Sequence, residues 1–215
     1  MNYPSLDFGR WQRIATVLIS DITHCRDELA RIAQQEKRID QFWARGLIRS
    51  FLAYIESSVY EMRLVVRDAD DARRIKLSAA ERSLINEETY ELTESGKPQI
   101  RTRYLKIERN FRFTTELFAQ VFEVTSDIDY SGSGWSAFLD AIKIRNRITH
   151  PRDPESINLS LEEVETIVNA FRWYLDSTDS LLNRSNAKLQ SQNTEMQAAL
   201  AALRSVSTPP LPPRP

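Results

Sequence analysis

Cysteine occurs once in 215 residues and histidine twice. One thiol excludes an internal disulfide framework and any cysteine-based zinc cluster, and two imidazoles leave little room for a multi-histidine metal site. Glycine, at 5 residues, is too scarce for the turns of a β-sandwich and points to helices. No run approaches the roughly 18 apolar residues of a membrane span. Met1–Arg10 has no basic segment followed by an apolar one, so no secretory leader is expected. The expected compartment is a reducing cytoplasm, with no membrane partner. Formal net charge is −1, so no global field draws nucleic acid and any such partner must be held by a local patch. Phosphate-binding glycine loops, dinucleotide fingerprints and Ser-His-Asp elbows are missing, and neither a cofactor nor a metal ion is expected.

What the chain does have is helical periodicity. Trp11, Ile14, Leu18, Ile22, Cys25, Leu29 and Ile32 step by three and four and predict an amphipathic helix with His24 beside its seam. Phe42, Phe51, Ile55, Val59, Met62 and Val66 predict a second helix over 40–67, with Asp40 as N-cap. Residues 69–99 read as a polar insertion with one short helix, Ser78–Leu92, opened by a Ser78/Glu81 capping box. Tyr104, Ile107, Phe111, Leu117, Phe118 and Val121 predict a third long helix over Arg101–Val124. A further helix begins near Trp135, capped by Ser133 or Gly134, and must stop at Pro151. Ser160 and Glu163 cap the last one, where Leu161, Val168, Leu175, Leu182, Leu189, Met196 and Leu203 recur every seven residues. Beyond Asp176 its second row turns polar at Thr178, Ser185 and Gln192. That stretch reads as a lone helical extension or as a weak self-association strand.

These elements predict an all-α helical bundle of four to five core helices over 10–183, with a helical insertion. A helical extension over 184–204 and a disordered, Pro-rich tail over 205–215 follow, the tail's spacing also suiting an SH3 groove. Nothing alternates at period two for long enough to argue a sheet.

The chemistry concentrates in Lys143-Ile144-Arg145-Asn146-Arg147-Ile148-Thr149-His150-Pro151, at the end of a predicted helix. Asn146 and His150 are four apart and share a face, and Arg145, about 100° round, can lean toward the same spot. Pro151 disfavours helical geometry at His150, so its ring can turn out where carbonyls are left unpaired. An imidazole there is suited to proton transfer, and a guanidinium offers a planar fork for phosphate. Lys143, Arg145, Arg147 and Arg152 form a local basic spot; Lys143, Arg147 and Arg152 are candidate RNA contacts. The plain alternative is that His150 bonds a last carbonyl and the cations answer the helix dipole.

Arg145-Asn-Arg-Ile-Thr-His150 resembles the Arg-x4-His motif, with Asn after the Arg, of the HEPN domain (higher eukaryotes and prokaryotes nucleotide-binding). The preceding Trp135-Ser-Ala-Phe-Leu-Asp-Ala-Ile-Lys-Ile, the following Pro151 and the helix order are similar too, over roughly Trp11–Asn183. The resemblance implies a metal-independent endoribonuclease of the kind found among toxins and abortive-infection or phage-defence proteins. It implies a homodimer in which two motifs face one cleft, and an antitoxin or regulatory partner. Carried over, His150 is general acid or base, Arg145 holds the scissile phosphate, Asn146 orients the site, and the product ends in a 2′,3′-cyclic phosphate. Some members carry a modifiable Tyr two residues after the His; here Arg152 stands there.

Glu56 is the candidate accessory residue on the second helix, on a face with Arg49, Tyr60 and Arg63; a surface ion pair is its other reading. A second basic cluster, Lys97, Arg101, Arg103, Lys106, Arg109 and Arg112, is interleaved with Tyr104, Phe111 and Phe113. It reads as an RNA track with stacking rings, or as the wet face of a helix whose aromatics enter the core. The rival for the whole chain is a non-catalytic helical module that binds a nucleotide or a protein partner.

Overall fold

The apolar seam that starts near Trp11 builds α1 (Phe8–Glu36) in the computed structural model, which describes residues 8–206. Lys37 takes a left-handed conformation (φ 52°), and the chain folds back. The Asp40 carboxylate then accepts the N–H groups of Phe42 and Trp43 at 2.9 and 3.3 Å and opens α2 (Gln41–Asp71). α1 packs along α2 through Ile22, Cys25 and Leu29. Gly46 marks their close approach, since a Cβ there would lie 2.9 Å from the Cys25 sulfur. Burial, and after it Asp21, pushes the Cys25 thiol up.

α2 is the centre of the bundle. Its apolar residues from Leu47 to Val66 are buried almost without break, and its outward stripe is narrow: Phe42, Arg49, Glu56, Tyr60 and Arg67. α4 (Ile107–Val121) packs on α2, and the pair α5 (Ser133–Thr149) and α6 (Leu161–Val206) covers it further. Edge-on and tilted rings lock these helices together: Phe51 against Phe171, Phe111 against Tyr174, Phe138 against Trp173. The fold is an all-α bundle with a long C-terminal helix, and no described helix is long and apolar enough to cross a membrane.

Expectations are corrected in three regions. The insertion helix is shorter than Ser78–Leu92: α3 (Ala79–Ile85) ends at Asn86, and Glu87 turns the chain at φ 53°. Residues beyond it form an antiparallel hairpin, β1 (Glu88–Leu92) and β2 (Pro98–Thr102), with Glu88 opposite Thr102 and Leu92 opposite Pro98. Its strands are only five residues long, too short for period-two alternation to stand out, and the turn uses Gly96 at φ 73°. Because Arg101 and Thr102 are paired in β2, the third long helix starts at Ile107 and not at Arg101. Asp70 ties the insertion to α2 by accepting from Arg82 at 2.7 Å and from the Leu77 N–H at 3.0 Å; Arg82, then that N–H, holds its carboxyl below the usual carboxylate range.

The second correction concerns α5, whose cap is Gly132 and not Ser133 or Gly134. Asp129 accepts the N–H groups of Ser131 and Gly132, which brings the chain into the helix a residue early. The third concerns α6 beyond Asp176. Between Asp176 and Ser185 it is no lone extension, because Thr178, Leu181 and Ser185 are buried. The two hydroxyls donate to the carbonyls of Tyr174 and Leu181 at 2.7 and 2.9 Å, so a polar row satisfies itself inside the core. Arg184 pairs with Asp127, and Lys188 reaches Glu123 at 3.1 Å, so the packed part of α6 runs on through 183–184. Of the tail expected over 205–215, residues 205 and 206 close α6, and 207–215 lie outside the described residues.

α5 and α6 meet at Gly134, where a Cβ would lie 2.1 Å from Trp173 Cδ1. Gly134→Ala is therefore expected to lower the unfolding free energy by about 1–3 kcal/mol, read from the urea midpoint at unchanged slope. A loss no larger than that of the exposed neighbour's Ser136→Ala contradicts this packing.

Candidate functional site

Helix α5 carries Arg145 past the outward stripe of α2. Its Nη2 lies 3.5 Å from Glu56 Oε1, and its Nη1 donates to Asn146 Oδ1 at 3.2 Å. The guanidinium is about one-third exposed, so it is aimed but not sealed. It stands on the wall of a groove of about 690 Å³ between α2, α4, α5 and the 104–106 segment. That volume is in the range of small-ligand sites. Leu52, Val59 and Ile142 give the groove an apolar floor, while Glu56, Tyr60, Tyr104, Lys106, Lys143 and Asn146 also line it.

The groove's far end is fastened by Arg63. Its Nε and Nη2 donate to the Ile85 carbonyl at 3.0 and 2.7 Å, and its Nη1 pairs with Glu87. This nearly buried cation satisfies the end of α3 and clamps the insertion onto α2. No sequence signal marks it, because its main partner is a backbone carbonyl.

The motif residues separate into three settings. Arg145, Asn146 and Lys143 line the groove with Glu56; Lys143 is also paired with Asp140 at 2.8 Å, one turn earlier. His150 ends α5 on non-helical backbone (φ −124°, ψ 63°), its N–H donating to the Asn146 carbonyl at 3.0 Å. Its ring is exposed, is not among the groove-lining residues, and has no hydrogen bond to another described residue. The Thr149 hydroxyl, not the imidazole, takes up the Arg145 carbonyl at 2.7 Å.

Arg147 points elsewhere. Its Nη1 donates to the carbonyls of Ser156 and Asn158, each at 3.0 Å, and its Nη2 to Glu163 Oε1 at 2.6 Å. The same Glu163 closes the Ser160 capping box. Gln41 adds a second clasp, exchanging two hydrogen bonds with the Leu159 backbone at 2.9 and 2.7 Å. The turn after His150 is thus held by α2, α5 and α6 together. Arg152 is exposed, with only its backbone N–H engaged, on Ser156.

The second basic cluster divides. Phe111 is in the core and Phe113 is half-buried, as for a helix with its aromatics inside, but Tyr104 is 88% exposed. Arg101 pairs with Glu91, and Arg112 lies over the Tyr130 ring. Arg103, Lys106 and Arg109 are exposed and form no ion pair with another described residue. Among the described residues no group of three or more His, Cys, Asp or Glu is placed to hold a metal ion. Comparison with protein-family models, with curated proteins and with solved structures yields no match.

If Arg147 is a structural clasp, Arg147→Ala lowers the unfolding free energy by about 1–3 kcal/mol, whereas Arg152→Ala stays within about 0.5 kcal/mol. Equal effects in a thermal or urea melt contradict that division.

Proposed function

We propose that this chain is an endoribonuclease that uses no metal ion and cleaves by attack of a 2′-hydroxyl on the adjacent phosphate. The observation that carries the reading is Arg145: a part-exposed fork on a groove wall, steadied by Glu56 and Asn146, on the helix whose end presents an exposed imidazole. A scissile phosphate takes the place of Glu56 on Arg145, in the bidentate geometry a guanidinium favours. The Asn146 amide orients it. The O2′ loses its proton as the O2′–P bond forms, the P–O5′ bond breaks, and the leaving O5′ gains a proton, giving a 2′,3′-cyclic phosphate end. His150 serves one of the two proton transfers. Its outward position suits a homodimer, in which a second copy's α5 end completes the cleft. A toxin or phage-defence role in the cytoplasm, held in check by an antitoxin or regulatory protein, is the setting this chemistry fits.

One observation favours a second reading. The groove that holds Arg145 does not include His150, which is what a non-catalytic module binding a nucleotide requires. Purified protein incubated with RNA in EDTA separates the two. The ribonuclease reading expects cyclic-phosphate ends and a loss of at least about 100-fold in rate for His150→Ala and for Arg145→Ala. Parent-like cleavage by both variants overturns it, and binding without cleavage by the parent selects the module.

A further inference from the structure

We infer that Tyr104 is a stacking platform for an unpaired base of single-stranded RNA, set beside the phosphate position of Arg145, with Lys106 on a neighbouring phosphate. The inference rests on the groove being an RNA site and adds the form of the substrate. Lone exposed apolar groups are ordinary on protein surfaces. Tyr104 differs in its setting: the residue is 88% exposed yet lines the same groove as Arg145.

The backbone that carries the ring is held on both sides. Tyr104 lies on the short link between β2 and α4. Before it, the Arg103 N–H donates to the Glu87 carbonyl at 2.6 Å, and Glu87 is itself paired with Arg63. After it, the Lys106 carbonyl accepts the N–H groups of Arg109 and Asn110 in the first turn of α4. A backbone anchored on both sides keeps the ring at the groove, which limits the ordering that binding must supply.

Charge decides what kind of ligand this is. Four basic residues, Arg63, Lys106, Lys143 and Arg145, line the groove against Glu56, Glu87 and Glu108. Arg63 and Arg145 already face carboxylates, and Lys143 faces Asp140. The groove is thus nearly neutral, and Lys106 is the cation in it with no ion pair to a described residue. A backbone-only track of many phosphates does not fit. A strand that gains one stacked base and about two phosphate contacts does, because aromatic stacking supplies affinity without charge. Bases inside a duplex are already stacked, so the strand must be unpaired.

The test uses a fluorescent 2′-O-methyl RNA hexamer, which cannot undergo 2′-hydroxyl attack, and anisotropy to read binding. Tyr104→Leu is expected to weaken binding about five- to a hundredfold, while Tyr104→Phe binds like the parent. An abasic strand of the same length is expected to bind weakly and equally to parent and Tyr104→Leu. The slope of log affinity against log salt is expected near −1.4, from about −0.7 per contact for two contacts. Tyr104→Leu binding within twofold of the parent, a loss that persists on the abasic strand, a duplex bound as tightly, or no binding by the parent at low salt each overturns the inference. Failures stay distinguishable. Tyr104-dependent binding without cleavage of ordinary RNA removes the ribonuclease reading alone. Arg145-dependent cleavage without a Tyr104 effect removes the inference alone.

Discussion

Helix α2 is enclosed by α1, α4, α5 and α6, and this enclosure shapes everything else. A helix buried on so much of its circumference keeps one solvent stripe, and here that stripe includes Glu56 and Tyr60. α4 and α5 both pack on α2 and leave this stripe between them, which creates the groove. The groove's apolar floor is therefore the edge of the core itself, and its polar wall is what the neighbouring helices bring to it. Changes in the core near Leu52 or Val59 bear on the site as well as on stability.

Arg145 depends on α5 being fixed at both ends. At the start, Gly134 lets the helix settle against Trp173 with no Cβ between them. At the finish, Arg147 and Gln41 bind the chain that follows His150 to α6 and α2. Between these two anchors α5 has little freedom to roll, so the side chain that meets Glu56 is decided by helical geometry. Sites placed on rigid elements hold their geometry better than sites placed on loops. The insertion adds the opposite lip. It is pinned through Asp70 and Arg63, so the backbone that leads to Tyr104 is tied to the same frame.

The bundle was legible from spacing because long amphipathic helices repeat their signal many times. Asp40, Ser78 and Ser160 marked helix starts for the same local reason, a side-chain oxygen facing unpaired N–H groups. The hairpin was not legible: five-residue strands with Gly96 between them offer too few alternations, and Arg101–Thr102 continued a helical pattern into a strand. Thr178 and Ser185 misled in the other direction, since hydroxyls that bond their own helix count as polar in sequence and as core in space. At the site, motif and face put forward Arg145, Asn146 and Glu56 as candidates, and the groove brings these three together, whereas His150, expected at the same spot, lies outside it. Arg147 was not separable from them by charge, because its partners are carbonyls and Glu163. Tyr104 was one of three candidate aromatics, and only tertiary packing distinguishes it from Phe111.

The proposed chemistry turns on a guanidinium that trades a carboxylate for a phosphate. The Nε–Hε signal of Arg145, assigned through Arg145→Lys, reports that exchange during titration with the 2′-O-methyl hexamer. One saturable shift of this signal that tracks the binding curve is the expected result. An Arg145 signal that stays still while the strand binds contradicts it.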